Sequence, residues 1–188
     1  METLGPSSEV QAVSELLAAI GEDPVEALDN LPPSGNTALS VLRSTSRDFQ
    51  EEGHWFNFES DHVLTPNGDG EIIIPGSILS LTGVEGDYIA RRPRLYDREN
   101  KTFQFSEPVS CSVIFHLYWD EIPAVARRYV TALAVEKFVD GFPGANAVTE
   151  ARNRNLFRAQ VAFQKAKLRN EKFNLLNNAT ISQLSRRS

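Results

Sequence analysis

The stretch EEGHWFNFESDH, residues 51–62, joins two parts of the chain whose hydrophobic residues repeat with different periods. Before it, apolar residues recur every three or four positions, as in amphipathic helices. After it, apolar and polar residues alternate, as in half-buried antiparallel strands. Gly53 favours the end of a helix because glycine adopts the left-handed backbone conformation without a steric cost. The sequence therefore predicts that a helix ends and a sheet begins within this stretch.

Two helices are predicted before Gly53. Ser8 and Gln11 have the spacing of a capping box, and the apolar stripe that follows them stops at Gly21. A connector with three prolines comes next, and we expect the second helix to begin near Asn36 or Thr37. The apolar stripe of the first helix consists of Val10, Val13, Leu16, Leu17 and Ile20, and that of the second consists of Ala38, Val41, Leu42, Thr45 and Phe49.

Residues 55–118 are predicted to form an antiparallel β part of five or six short strands. The candidate strands are WFNFE, EIII, YIARR, RLYDR, TFQFS and SCSVIFHLYW, and the turn-rich segments TPNGDG, GVEGD and ENK separate several of them. We interpret NGDG, residues 67–70, as a hairpin turn with left-handed residues, because the other acidic positions of a calcium loop are missing.

Two more helices are predicted after the β part. One begins at Pro123, where a missing N–H has no cost, and ends at Gly141. The last helix runs from about Ala147 to Leu176 and would be ~40 Å long. The predicted fold class is therefore α+β. It comprises a helical part like a four-helix bundle (8–52 and 120–176), an inserted antiparallel β part (55–118), a long C-terminal helix, and a flexible tail (177–188).

Charge is divided unevenly along the chain. Residues 1–150 contain ten Lys and Arg against 24 Asp and Glu, whereas residues 151–188 contain nine Lys and Arg and only Glu171. This split suits a basic arm for nucleic acid. It equally suits self-association, in which the basic end of one copy meets the acidic body of the next. The interface candidates in the last helix are Arg152, Arg154, Arg158, Lys165 and Arg169.

His54 and His62 lie among carboxylates, including Glu59, but we predict no metal site. They do not have HxH or HxxxH spacing, and His116 belongs to a distant strand. We expect both to be surface or hinge imidazoles, and no cofactor is predicted. The single cysteine, Cys111, excludes an internal disulfide and is expected to be buried and inert. No leader or apolar run of ~20 residues is present, so we expect no membrane span and synthesis in a reducing cytoplasm.

Acidic pairs and an arginine-rich segment are the remaining chemical candidates. Glycoside hydrolysis needs two carboxyl groups about 5 to 10 Å apart. Asp120 and Glu121 have a simpler explanation, since they precede a helix whose N-terminal dipole favours negative charge. The segment RRPRLYDR, residues 91–98, suits single-stranded nucleic acid or a protein interface, but we favour a strand edge guarded by Pro93 and the charges. The hydrolase candidates are Asp97, Glu99, Asp120 and Glu121.

Five segments, in order, resemble the tail tubular protein A family, the head-to-tail adaptors of short-tailed double-stranded DNA phages. They are AVSELLAAIGEDPVEAL (12–28), EEGHWFNFE (51–59), LYDRENKTFQF (95–105), LYWDEIPAVARRYVTALAVEKF (117–138) and KFNLL (172–176). The resemblance covers about residues 9–176. It implies that Trp55, Phe56 and Phe58 hold the helical part against the β part.

The resemblance also implies a non-enzymatic virion protein at the head–tail junction. Twelve copies would form a ring between the portal protein and a tail nozzle similar to tail tubular protein B, and double-stranded DNA would pass through without specific binding. We expect the C-terminal tail to bind the portal through Ile181, Leu184, Arg186 and Arg187, while the basic last helix serves a subunit or portal interface. Nozzle-binding loops are expected at Asn67, Gly68, Asp69, Arg91, Arg92 and Arg94.

Two alternatives remain open from the residues themselves. The first is a carbohydrate hydrolase associated with the tail, built on the acidic pairs. The second is a DNA-binding protein that uses the basic last helix. A monomer active on polysaccharide would favour the hydrolase, and salt-sensitive duplex binding by a small species would favour the DNA-binding protein.

Overall fold

The computed structural model describes residues 8–82, 86–142 and 149–177. Four α-helices and small antiparallel sheets confirm the predicted α+β fold class. The chain forms two compact units, one made of Met1–Phe49 and Tyr118–Ser188 and the other of Gln50–Leu117. All described strands belong to the second unit, which we call the β unit; the first is the helical unit.

The helices lie close to their predicted positions. A short 3₁₀ turn, Trp119–Glu121, precedes the third helix. The four α-helices are α1 (Glu9–Ala19), α2 (Pro33–Glu51), α3 (Ala124–Asp140) and α4 (Thr149–Asn177).

The predicted capping box at the start of α1 is confirmed. The Gln11 backbone N–H donates to the Ser8 hydroxyl at 3.2 Å, and the Ser8 N–H donates to the Gln11 side-chain oxygen at 3.3 Å. Gly21 follows the helix with a φ of +83°, so its conformation ends α1 as predicted. The inner face of α1, which contacts α3, buries Ala12, Val13, Leu16 and Leu17.

Helix α2 begins at Pro33, earlier than the predicted Asn36 or Thr37. Proline fits the first turn of a helix because the N–H that it lacks would have no partner there. The Asn36 N–H already donates to the Pro32 carbonyl at 2.9 Å, which is a helical bond. The two consecutive prolines therefore begin this helix instead of ending the connector.

An aromatic cluster joins α2, α3 and α4 in the helical unit. The ring centroids of Phe49 and Phe163 are 5.0 Å apart in an edge-to-face arrangement, and Tyr129 stacks on Phe163 at 5.4 Å. Such pairs stabilise a core by about 0.5–1.5 kcal/mol beyond the area that they bury. The other fully buried residues of α3 include Val130, Ala134 and Phe138.

The β unit contains one three-stranded and one two-stranded antiparallel sheet. The strands are β1 (Phe58–Leu64), β2 (Ile78–Thr82), β3 (Tyr88–Arg91), β4 (Arg94–Asp97) and β5 (Val109–Phe115). Strand β5 lies between β1 and β2, and β3 pairs with β4. The shared apolar core consists of Leu64, Ile72, Ile74, Ile78, Leu95, Val109, Cys111 and Val113. Cys111 is buried, as predicted.

The strand predictions were partly wrong. EIII and TFQFS form isolated bridges, such as Glu71 with Gln104, instead of named strands. Pro75 interrupts the first segment, and a tight turn between Asp97 and Thr102 leaves the second only short contacts. Conversely, β2 was absent from the predicted set, because Ser80 and Thr82 dilute its apolar character.

Two buried amide side chains close the β unit where the chain enters and leaves it. The Gln50 side chain accepts a bond from the Leu117 N–H at 2.7 Å and donates to the Leu117 carbonyl at 3.2 Å. The Asn57 amide nitrogen donates to the Gln50 and Phe115 carbonyls, at 2.9 and 2.8 Å. Its oxygen accepts the His54 N–H at 2.8 Å. We call Gln50, Asn57 and these backbone partners the clasp.

The stretch around the clasp differs in part from two predictions. His54 is only 4% exposed, so of the two expected environments, surface or hinge, the surface is excluded. Phe58 is 45% exposed, although the resemblance implied that it is buried with Trp55 and Phe56. Trp55 and Phe56 are half-buried and meet edge-to-face at 5.2 Å. The residue that organises this stretch is Asn57, which the sequence analysis did not single out.

We predict that Asn57→Ala lowers the free energy of unfolding by about 3 kcal/mol, because it leaves the buried His54 N–H without its acceptor and removes a donor from the Gln50 and Phe115 carbonyls. Denaturant unfolding measures the change. The control is Asn155→Ala, an exposed position on α4, which should stay within about 0.5 kcal/mol of the wild type. Equal effects of the two variants would show that the clasp contributes nothing.

Gly53 and Gly21 provide a second, matched comparison. Both have positive φ, but a Cβ on Gly53 would lie 2.9 Å from the Ile114 Cδ1 atom, whereas one on Gly21 would meet nothing within 4 Å. We predict that Gly21→Ala costs about 1 kcal/mol through backbone conformation alone. Gly53→Ala should cost at least about 1 kcal/mol more, because Ile114 must move. Chemical denaturation of both variants measures the difference between their losses of unfolding free energy. Equal losses would show that Ile114 moves aside without cost.

Candidate interaction surfaces

Helix α4 exposes an apolar stripe on the side opposite its buried face. Ala159, Phe163 and Ala166 are buried, whereas Phe157 is 65% and Leu168 is 56% exposed. At 3.6 residues per turn, Phe157, Val161 and Leu168 fall within about 40° of one another around the helix. We call these three residues the apolar stripe. A stripe of this kind on the outer face of a helix favours contact with another protein.

A row of four cations runs beside the apolar stripe. Arg154, Arg158, Lys165 and Arg169 are exposed, and their spacing places them on one side of it, along about 22 Å of helix. We call them the basic row. Arg154 lies 3.6 Å from Glu150 in an exposed pair within the helix, which contributes little. In the part of the chain that the structure describes, no carboxylate pairs with the other three.

Arg152, the fifth interface candidate of the last helix, lies on a different side of α4 from the basic row. It is half-buried, and helical periodicity places it on the same side of α4 as Ala159 and Phe163. Two of its guanidinium nitrogens are buried without a hydrogen-bond partner among the described residues. The charge pattern alone could not distinguish Arg152 from the neighbouring cations, because the distinction requires knowing which face of α4 packs on the core.

Residues 67–70 form the predicted turn, but not the predicted hairpin, because β1 before the turn pairs with β5 and Glu71 after it forms a bridge with Gln104. The Asn67 side-chain oxygen accepts the backbone N–H groups of Asp69 and Glu71 at 3.0 and 2.9 Å. Gly70 has a φ of +76°, and Asn67, Gly68 and Asp69 are exposed. The turn is therefore an ordered, polar projection of the β unit.

The second predicted contact loop is the turn between β3 and β4. Arg92 and Pro93 form this turn and are joined by a cis peptide bond. We had expected Pro93 to lie on a strand edge, but it lies in this turn. The Arg92 guanidinium donates to the Ile78 and Leu79 carbonyls of β2, so its charge is used inside the β unit.

The neighbouring arginines differ in how far they are engaged. Arg94 pairs with Glu71 at 2.5 Å and covers the Phe103 ring, and it is half-buried. Arg91 is exposed and lies 3.7 Å above the centre of the Tyr96 ring. Of the three predicted arginines, Arg91 is therefore the one whose charge is most available to a partner.

The structure does not bring the two turns together. The Pro93 carbonyl accepts the Ile74 N–H at 2.8 Å, whereas the Gly70 carbonyl accepts the Phe105 N–H at 2.7 Å. The turns therefore lie at opposite ends of the segment 71–74. A partner that contacts the Arg91 end need not contact Asn67, Gly68 or Asp69.

Three of the four acidic hydrolase candidates have structural partners, and the fourth, Glu99, is exposed. Asp97 is buried and accepts the Asn100 N–H and side-chain amide at 2.9 and 2.8 Å, and these bonds lower the pKa of Asp97. A general acid requires a raised pKa instead. Asp120 lies 3.5 Å from Arg127, and Glu121 accepts the Tyr118 N–H at 2.7 Å. These carboxylates organise a turn and a helix start.

The histidine cluster is also dispersed. His62 lies inside β1, with its Nδ1 atom 3.2 Å from a Glu59 carboxylate oxygen, while His54 is buried in the clasp region. Within residues 8–82, 86–142 and 149–177, no three acidic, His or Cys side chains are placed to hold a metal. Over the same ranges, no helix combines the length and the apolar character that crossing a bilayer requires.

The predicted portal-binding residues Ile181, Leu184, Arg186 and Arg187 lie outside the described residues. The apolar stripe of α4 was not among the predicted sites. Helical periodicity does place the apolar residues at positions 157, 161 and 168 on one face. We did not separate it from core positions, because periodicity does not reveal which of two apolar faces is covered.

Comparisons with known proteins place the chain in a family. Residues 10–173 match the family described as Tail tubular protein. A segment of 124 residues is 31% identical to Tail tubular protein A of Klebsiella phage KP34, and it covers 65% of this chain and 66% of that protein. The family match spans both the helical and the β unit. The chain therefore belongs to the tail tubular protein family, a family of phage tail proteins.

Proposed function

We propose that the protein is a structural head-to-tail adaptor of a short-tailed phage. In this proposal twelve copies form a closed ring that joins the portal to the tail nozzle and lets the genome pass during ejection. Family membership supports a structural tail protein. The observation that carries the adaptor proposal is the outer face of α4, where exposed Phe157 and Leu168 lie beside the basic row.

This face has the composition of a protein interface. Aromatic residues and arginine are enriched where proteins meet, and burying a side chain such as Phe157 contributes about 1.5–3 kcal/mol. A duplex-binding surface needs cations that reach phosphates, but it does not need an apolar stripe along its centre. The stripe therefore favours a protein partner over DNA for this face of α4.

A ring also explains the charge split along the chain. A head-to-tail interface that closes into a ring requires two different and complementary patches on each subunit. The basic C-terminal part and the acidic body supply opposite charges. A channel for the genome must also avoid retaining it, and non-specific binding at about 10⁻⁴ to 10⁻⁶ M per site would slow transit if cations lined the passage. Acidic residues facing the DNA would prevent this.

The portal contact is assigned to the C-terminal tail. Ile181 and Leu184 are three positions apart, so they would lie on one face of a helical turn, and two arginines follow them. Ordering about ten residues costs on the order of 10 kcal/mol, so one tail would bind weakly. Twelve tails held in one ring would act together through their effective concentration.

We predict that deletion of residues 177–188 leaves a folded subunit with unchanged thermal unfolding but abolishes stable docking on the portal. Co-sedimentation with the portal ring at moderate salt, followed by electron microscopy, measures docking. Ile181→Asp with Leu184→Asp should reproduce the loss. The matched control, Ser182→Asp with Ser185→Asp, adds the same charge and should dock normally. Wild-type protein that never joins the portal would refute the adaptor proposal itself.

The nozzle contact is assigned to the Arg91 end of the β unit. Exposed Ile73 and Ile89 lie on strands and bridges next to this turn, and Arg91 with Tyr96 adds the residue types that interfaces favour. Of the three predicted nozzle-binding arginines we retain Arg91. Reversing the charge of Arg92 or Arg94 would also break contacts inside the β unit. The turn at Asn67, Gly68 and Asp69 is kept as the alternative contact.

We predict that Arg91→Glu weakens nozzle attachment at least about tenfold while ring and portal binding stay normal. Lys101→Glu is the control, because it makes the same charge change at the other end of the β3–β4 hairpin. Binding of isolated nozzle protein to portal-bound adaptor measures both. If Asp69→Lys blocks attachment and Arg91→Glu does not, the contact lies at the opposite turn.

A further inference from the structure

The connector between α1 and α2 is an ordered acidic surface. Its four carboxylates, Glu22, Asp23, Glu26 and Asp29, are all exposed. The Ser14 hydroxyl accepts the Val25 N–H at 3.1 Å and lies 3.2 Å from the Val25 carbonyl, which fixes the connector on α1. We call residues 22–29 the acidic ledge. Its shape does not depend on a partner, so it can meet one without a large cost in entropy.

Further bonds hold both ends of the acidic ledge. The Glu22 N–H donates to the Leu17 carbonyl at 3.1 Å, and the Ser34 hydroxyl in α2 donates to the Glu22 carboxylate. The Asn36 side-chain amide donates to the Leu31 carbonyl at 3.0 Å just beyond the ledge. The connector is therefore tied to the helices on both sides, although it forms no helix or strand of its own.

The charges of the ledge are not neutralised by the described part of its own chain. Glu22 has a hydroxyl partner, but no described Lys, Arg or His pairs with Asp23, Glu26 or Asp29. This contrasts with other acidic residues of the same unit, since Glu9 pairs with Arg43 and Asp48 pairs with Lys137. Three exposed carboxylates without an ion-pair partner among the described residues, Asp23, Glu26 and Asp29, therefore lie close together on one short segment.

The basic row of α4 carries the charge that complements the acidic ledge. Its four exposed cations extend over about 22 Å of helix. Pro24 and Ala27 are exposed between the carboxylates, so they offer small apolar surfaces to the apolar stripe beside the row. The two surfaces are different patches of one subunit, which is the requirement for head-to-tail association.

We infer that the apolar stripe and basic row of one copy bind the acidic ledge of the next copy. This inference rests on the proposed ring and identifies the pair of surfaces that closes it. Phe157 and Leu168 supply the apolar contact, and the basic row neutralises the ledge. Because the contact uses exposed charges on both sides, salt weakens it over the range in which the Debye length falls from about 10 Å to about 3 Å.

Two charge-reversed variants test the pairing. One carries Arg158→Glu, Lys165→Glu and Arg169→Glu on α4, and the other carries Asp23→Lys, Glu26→Lys and Asp29→Lys on the ledge. Each variant alone would face like charges at every interface, so we expect assembly to require at least about 100-fold more protein. In an equimolar mixture the two variants can alternate around the ring. The acidic α4 of one variant then meets the basic ledge of the other, and the basic α4 of the second meets the acidic ledge of the first. The mixture should therefore assemble at wild-type concentrations.

Sedimentation velocity measures assembly, with portal protein present if the wild type needs it. All six substituted side chains are exposed, and thermal unfolding checks that each variant is folded. The milder pair, Lys165→Glu and Glu26→Lys, repeats the test with one charge on each surface. Restored assembly in both mixtures supports the inference, because neither altered folding nor net charge alone produces mutual rescue.

Other results overturn the inference and are distinguishable from failure of the proposed function. If the wild type assembles but the mixture does not, the ledge is not the surface that α4 binds on the next copy. The adaptor proposal would be unaffected by this result. If the α4 variant assembles normally and loses only duplex DNA retention, the basic row is a DNA surface. If the wild type forms no oligomer with or without portal protein, the proposed ring fails together with this interface.

Discussion

The β unit depends on the hydrogen bonds by which Gln50 and Asn57 join the chain where it enters and leaves. An inserted unit must hold its two ends together, or the entropy of the connecting chain opposes its folding. Gln50 binds both backbone groups of Leu117, and Asn57 binds Gln50 and Phe115. Because the two amide side chains are buried, removing either one leaves buried polar groups without a partner, such as the His54 N–H, which lowers the stability of the unit. The clasp thereby holds the two ends of the chain segment that contains the sheet around β5.

The sequence predicted the elements whose signals are local. The capping box at Ser8, the left-handed Gly21 and the turn at Asn67 need only neighbouring residues, and the structure has all three. It did not predict the clasp, because Gln50 and Leu117 are 67 positions apart and no local pattern distinguishes their pairing. The burial of His54 could not be predicted for the same reason. The buried environment that surrounds it comes from residues that are distant in sequence.

The interaction surfaces follow the same division. Charge counts were sufficient to identify α4 as basic, but the orientation of the helix was needed to exclude Arg152 and to reveal Phe157 and Leu168. At the hairpin turn, the arginines look alike in sequence. Their partners, the Ile78 and Leu79 carbonyls for one and Glu71 for another, come from elsewhere in the β unit. Composition predicts that a surface is charged, while tertiary contacts decide which charges remain for a partner.

This difference between engaged and available charges gives the two units different physical properties. In the β unit, Arg92 and Arg94 contribute bonds that order the hairpin, so their charges support the fold of one subunit. In the helical unit, the basic row and the acidic ledge add little to that fold, because both are exposed and pair little within the described chain. Charges that do not stabilise the subunit are free to vary without unfolding it. The presence of opposite charges on two exposed surfaces of this subunit is therefore better explained by assembly than by the stability of a single chain.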